Sequence, residues 1–194
     1  MTDSHSASTQ TTSATELPLR AGDWTMDPAH SGVHFTVRIL GIAKVRGRFS
    51  ELEAALHVGE SLNDVRVSAT IATASLDTGH ADRDAHVRSA DLLDVEKRPT
   101  MAFSSTGITG AGEDYSMDGE LTIGDVTRPV SLAVEFGGLV DGPLDGIPRA
   151  GFEATGEIHL PDFGFDFNRL SVGNTVRIEL DMQFLAPQDG QAAT

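Results

Sequence analysis

His30 and His34 stand four residues apart, a spacing that on an extended strand puts both imidazoles on one face. Two imidazoles supply half of a tetrahedral metal site, but no further ligands at matching spacing accompany them. The plainer reading is a loop histidine bonded to backbone, then an outward strand histidine. Arg83, Asp84, His86 and Arg88 form the densest polar cluster of the chain. Guanidinium forks match phosphate or carboxylate oxygens, so such a cluster suits an anionic head group. Arg83 and Asp84 read instead as a tie between a helix and its scaffold, which leaves His86 and Arg88 open to a ligand. Arg38, Lys44, Arg46 and Arg48 make a basic stretch in an otherwise acidic chain. They are either a solvated outer face or, near a barrel mouth, contacts for a polar head.

Covalent chemistry finds less support. Ser31 beside His30 is adjacency in sequence, and no strand–turn–helix elbow of the G-x-S-x-G type occurs. Carboxylates are too abundant for any pair to be specific. An enzyme using His30 or His86 as acid–base has no pattern to recommend it, so a non-catalytic protein is expected. Gly124-Asp125 and Gly137-Gly138 fall between strands and lack the following helix that makes a phosphate loop.

The elements that must position these residues are strands. Val33, Phe35, Val37 and Ile39 alternate with His34, Thr36 and Arg38, the period of a sheet with one buried face. The same rule runs through 52–58, 65–71, 117–123, 130–136, 152–160 and 176–184. With 101–108 this makes about eight strands, separated by Gly-, Asp- and Pro-rich turns. Residues 80–95 break the pattern with helix formers. Asp84 and Arg88 are spaced to pair, Asp82 and Asp84 suit a helix N-terminus, and Ser89 could cap a second turn carrying Leu92 and Leu93. The expected fold is all-β, a closed eight-stranded antiparallel barrel that leaves no bare edge, with a short helical insertion around residues 80–95. A sandwich is the competing solution. The barrel should occupy 21–186 as one domain, with polar, low-complexity tails at 1–20 and 187–194 expected to be disordered.

Composition narrows the partners. The 194 residues carry 29 acidic against 14 basic side chains, a net charge of −15. Such a surface repels nucleic acid and anionic headgroups. A bilayer-surface role would need a local basic patch that composition does not reveal. Cysteine is absent, which removes disulfides and thiolate chemistry. No apolar run approaches the ~20 residues of a membrane span, and the N-terminus lacks the basic and apolar regions of a secretion signal. A cytoplasmic location, with no stable membrane insertion, is the expectation.

Several ordered motifs carry a resemblance. Trp24-Thr-Met-Asp27-Pro28-Ala29-His30-Ser31 opens the series, followed by Lys44-Val-Arg46-Gly47-Arg48-Phe49 and Ser75-Leu-Asp77-Thr78-Gly79. Then come Arg83-Asp84-Ala85-His86-Val87-Arg88-Ser89, Pro99-Thr-Met-Ala-Phe103, Gly119-Glu-Leu121-Thr122-Ile123 and Val126-Thr127-Arg128-Pro129-Val130. In this order, from Trp24 to about Phe184, the chain resembles the YceI-like family. The resemblance implies an extended, lipocalin-like eight-stranded barrel with a helical insertion. It also implies an elongated apolar cavity for polyisoprenoids, such as the tail of a prenylated quinone or a polyprenyl phosphate. Many members are exported to the periplasm, a trait that does not transfer without a signal sequence. Where the family often has His-Gly before Val-Thr-Arg-Pro, this chain has Gly124-Asp125.

The implied function is storage or transport of an isoprenoid lipid by burial, with no cofactor required. The alternative is stress-related sequestration of varied apolar molecules. Candidate tail contacts are Val33, Phe35, Val37, Ile71, Phe103, Leu121, Phe136 and Phe152. Small inward residues Ala54, Ala69 and Ala154 leave room between the rings. Candidate head contacts are Arg38, Lys44, His86 and Arg88. A homodimer is an open option.

Overall fold

A computed structural model describes residues 17–165 and 172–188 of the chain. The alternating runs become strand segments β1 (Gly22–Met26), β2 (Gly32–Ile39), β3 (Ala43–Phe49), β4 (Leu52–Val58), β5 (Arg66–Ala72) and β6 (Leu76–Asp77). One helix, α1 (Ala81–Arg88), precedes β7 (Thr100–Ala111), β8 (Asp114–Ile123), β9 (Val126–Asp141), β10 (Pro148–His159) and β11 (Val172–Leu185).

Register shows how these segments add up to eight staves. β1 and β2 lie end to end along β11, with Met26 opposite Phe184 and Val33 opposite Leu180. β3 and β4 form the next stave, with Phe49 opposite Val33 and Leu56 opposite Trp24. β5 and β6 form the third, with Ala69 opposite Ala54 and Leu76 opposite Phe49. Four long strands, β7 to β10, then follow as successive antiparallel neighbours, and β11 closes the ring back onto β1. The result is a closed eight-stave antiparallel barrel. Closure satisfies the backbone groups that the rims of an open sheet would leave bare.

Three short segments differ from the expected strand list. β1, β3 and β6 carry little alternation of their own. In β3 the inward phase reads Val45, Gly47, Phe49, so a glycine interrupts the apolar period. The helical insertion is also shorter than expected, for α1 stops at Arg88 and turns follow. Ser89 does not start a second helix: its hydroxyl donates to the His86 carbonyl at 2.7 Å and closes the first. Asp84 does not pair with Arg88 either. Its carboxylate accepts from Thr78 instead.

The chain boundaries shift as well. Leu17 and Leu19, assigned to the tail by composition, pack on the core, and the Arg20 guanidinium donates to the Pro187 carbonyl. The rest of the two expected tails, 1–16 and 189–194, lies outside the described residues.

Inward side chains collect in two clusters, one toward each end. At the first, the aromatic end, Trp24, Leu56, Tyr115, Phe136 and Phe184 are buried together. Trp24 is 2% exposed, and its indole N–H donates to the Arg20 carbonyl at 2.9 Å. At the other, the capped end, Met101, Ile123, Leu132, Ile158, Phe163 and Phe165 pack with Leu93 from the turns after α1. The Arg98 guanidinium sits 4.8 Å from the centre of the Phe165 ring, a cation–π contact that secures those turns.

Candidate functional site

The space between the two clusters is not filled. A chamber of about 320 Å³ runs inside the barrel, at the small end of the roughly 300–1,000 Å³ typical of ligand sites. Every stave contributes to its wall. Val33, Phe35 and Val37 enter from β2, Ile71 from β5, Phe103 from β7, Leu121 from β8 and Phe152 from β10. These are seven of the eight residues proposed for the tail. The small side chains Ala54, Ala69 and Ala154 line it too, and the vacancy beside them is what a larger residue would occupy.

Phe136 is the exception. It shares the parity of Val134, but it is buried beneath Phe152, with ring centres 5.3 Å apart and tilted by 44°. Phe152 in turn meets Phe184 edge-on at 6.2 Å. This chain of rings closes the aromatic end, so Phe136 supports the chamber from behind and does not face it. Period two gives the side of the sheet, not the depth along it.

Two glycines let the rings lie flat against the wall. A Cβ on Gly47 would come within 2.4 Å of the Phe35 ring, and one on Gly119 within 2.3 Å of the Phe103 ring. Each phenyl occupies the recess left by a missing side chain on the neighbouring strand, which keeps it out of the chamber's middle.

The polar candidates fall differently. Arg38 and Lys44 face each other across β2 and β3 on the outer surface, because Val37, Ile39 and Val45 take the inward positions. His86 is exposed on α1. The Arg88 guanidinium donates to the Leu76 carbonyl, while its Nε is buried without a partner among the described residues. None of these four lines the chamber. Strand parity and helix register put the first three outside, and the bond to Leu76 holds the fourth beneath the helix.

Among the described residues, Arg83 is the cation that does reach the chamber wall, together with Thr78 and Val87. Its Nε donates to the Thr78 hydroxyl at 2.6 Å and its Nη2 to the Thr78 carbonyl at 2.9 Å. The Thr78 hydroxyl donates in turn to Asp84 Oδ1, which also receives the Thr78 N–H at 3.0 Å. Asp84, only 6% exposed, therefore fixes the threonine, and the threonine aims the guanidinium. Nη1 has no partner among the described residues. By sequence Arg83 is a structural tie, for no periodicity on an eight-residue helix with a weak apolar stripe marks which arginine faces inward.

His30, His34, His57 and His159 each lie beside an acid. His30 Nδ1 bonds Asp27 at 2.9 Å, and this hydrogen bond holds the Asp27 carboxyl below its ordinary value. His34 lies 3.8 Å from Asp181 on the outer face. No group of three or more metal-ligating side chains occurs among the described residues. Burial at the aromatic end pushes the Tyr115 hydroxyl above the usual tyrosine range, in keeping with a dry interior.

A closed lipocalin-like barrel around an apolar chamber is thus the class that fold and site define. A model of the YceI-like domain matches residues 24–184, and the chain belongs to the YceI-like family. Protein YceI of Escherichia coli O17:K52:H18 is 40% identical over 146 residues, covering 74% of this chain and 76% of that protein. The crystal structure of Burkholderia cenocepacia BcnA superposes with a TM-score of 0.72 at 21% identity, covering 81% of this chain and 98% of that one. A polyisoprenoid binding domain from Saccharophagus degradans, implicated in plant cell wall breakdown, shares the fold with a TM-score of 0.60 at 15% identity, covering 84% and 98%. No helix among the described residues is long and apolar enough to cross a membrane.

Proposed function

We propose that the barrel binds an isoprenoid lipid, such as a prenylated quinone or a polyprenyl phosphate, by non-covalent burial of its tail. The observation that carries this reading is the elongated apolar chamber, walled from Leu56 and Tyr115 at one end to Leu93 and Phe165 at the other. Burying an apolar tail there gains about 25 cal/mol per Å², less the cost of ordering the chain. The relationship to a polyisoprenoid binding domain supports the same ligand class.

The head would meet Arg83. A guanidinium held by Thr78, with one nitrogen left over, suits a quinone carbonyl or a phosphate oxygen and gives the ligand a direction in the barrel. Binding and release without bond breaking is the whole of the mechanism.

Extraction of purified protein followed by mass spectrometry tests the reading. Isoprenoid recovered in near-stoichiometric yield is the expected result, and an Ala69→Trp variant, whose indole projects into the chamber, should carry none. Repeated recovery of no apolar compound, together with no uptake of added prenylated quinone, would overturn it.

A further inference from the structure

Leu40 and Ile42, at the turn between β2 and β3, are 62% and 84% exposed. Leu40 has φ of 53° and Gly41 of 69°, so the turn is wound through the left-handed region that a leucine rarely adopts. Two bulky aliphatic side chains thereby stand in water at a hairpin tip. Just below them, Arg38, Lys44 and Arg46 share the outer face, with Arg38 directly opposite Lys44. None of the three has a carboxylate within ion-pair distance among the described residues, whereas Arg48, further down, is held by Asp77 at 3.1 Å. From Gly32 to Phe49 the chain carries four of its 14 Lys and Arg residues and none of its 29 Asp and Glu residues.

We propose that this hairpin docks the barrel on an anionic phospholipid surface, with Leu40 and Ile42 entering the interface and Arg38, Lys44 and Arg46 meeting the headgroups. Apolar tip and cationic collar are the two features that interfacial binding needs together. The net charge of −15 does not forbid it. Beyond a Debye length of about 8 Å the acidic remainder is screened, so the local sign governs. The tip sits at the capped end, next to chamber-lining Ile39 and Val45, so docking turns that end toward the bilayer. As a route for cargo exchange the inference rests on the isoprenoid reading; as a surface contact it stands on charge and exposure alone. The opposite hairpin is a control built into the chain: Leu144 is 99% exposed there, but between Asp141 and Asp145.

Cosedimentation of the whole protein with vesicles of mixed phosphatidylglycerol and phosphatidylcholine, against pure phosphatidylcholine, is the test. Binding to the anionic vesicles that weakens with added salt is expected. The Leu40→Asp/Ile42→Asp double variant should bind at least about tenfold less. Arg38→Gln, Lys44→Gln and Arg46→Gln should each bind about fivefold less, and Leu144→Asp as well as the unaltered chain. Unchanged circular dichroism in these surface variants keeps misfolding out of the comparison. The proposal is overturned if the protein ignores anionic vesicles, or binds neutral ones equally. It is also overturned if Ile42→Asp splits a dimer while vesicle binding persists, which would give the tip to a second copy. Isoprenoid content measured on the same samples separates the two ideas. Loaded protein that does not dock defeats the hairpin alone, and docking by protein that never carries isoprenoid supports the hairpin while defeating the cargo reading.

Discussion

At the aromatic end the staves close the barrel with their own side chains, Phe136 on Phe152 on Phe184, backed by Trp24 and Tyr115. At the capped end closure is delegated to α1 and its following turns, which lay Val87, Leu92 and Leu93 over the chamber. The first plug cannot move without unravelling strands. The second hangs on a handful of polar bonds: Asp84 and Arg83 to Thr78, Arg88 to Leu76, Arg98 to the Leu93 carbonyl. Elements held by few apolar contacts open at a fraction of the global unfolding free energy. A barrel built this way is closed firmly at one end and left easier to open at the other.

The largest effect should come from breaking the stable end. Trp24→Ala leaves a hole in a buried cluster and should cost about 3–5 kcal/mol in denaturant unfolding, whereas Leu93→Ala, half-buried under the cap, should cost less than about 2 kcal/mol. Equal losses would dissolve the distinction between the ends.

Between the ends, Gly119→Ala should destabilise by about 2–3 kcal/mol, because its methyl group meets both the Phe103 ring and the Ser104 carbonyl. The displaced ring would also narrow the chamber, read as weaker uptake of a fluorescent isoprenoid.

At the cap, Asp84→Ala strands the Thr78 N–H and should cost about 1–2 kcal/mol. Amide hydrogen exchange should quicken across 81–88 while β10 and β11 stay protected. Uniform quickening over the whole chain would show that the cap and barrel open as one.

The smallest effect concerns the exposed β9–β10 turn. The Arg149 fork grips Asp145 at 2.9 and 2.8 Å, and this bond, with the Ile147 N–H, holds the Asp145 carboxyl well below the usual carboxylate range. A lowered folded-state value means the pair stabilises fully above the unfolded carboxyl's value of about 4 and less as acid is added below it. Asp145→Asn should flatten that part of the stability–pH profile slightly and leave neutral-pH stability nearly unchanged, since the pair is exposed and screened.

Much of the barrel was legible because its inward residues are aliphatic at every second position: Val130, Leu132 and Val134 announce β9 without help. The shorter pieces β1, β3 and β6 were not, since Trp24 or Leu76 alone gives no period to count and Gly47 interrupts that of β3. The chamber's wall was readable from the same alternation, but depth was not, which is why Phe136 counted as a liner when it is packed behind one. Arg83 was missed for a different reason. Its inward aim is set by Thr78, five residues away across a turn, and only the folded turn brings the two together. Arg38 and Lys44 are legible as cations that suit either a solvated outer face or a head group near the mouth, and the register places them on the outer face.

The clasp between Arg20 and Pro187 has a topological consequence. The polypeptide enters and leaves the barrel at neighbouring points, and a Cβ on Gly22 would come within 2.8 Å of the Pro187 ring. The backbone is therefore almost a loop already. A circular permutant that joins those two points by a short linker and is cut instead at the exposed Gly112 bend should rebuild the same eight staves in a new order.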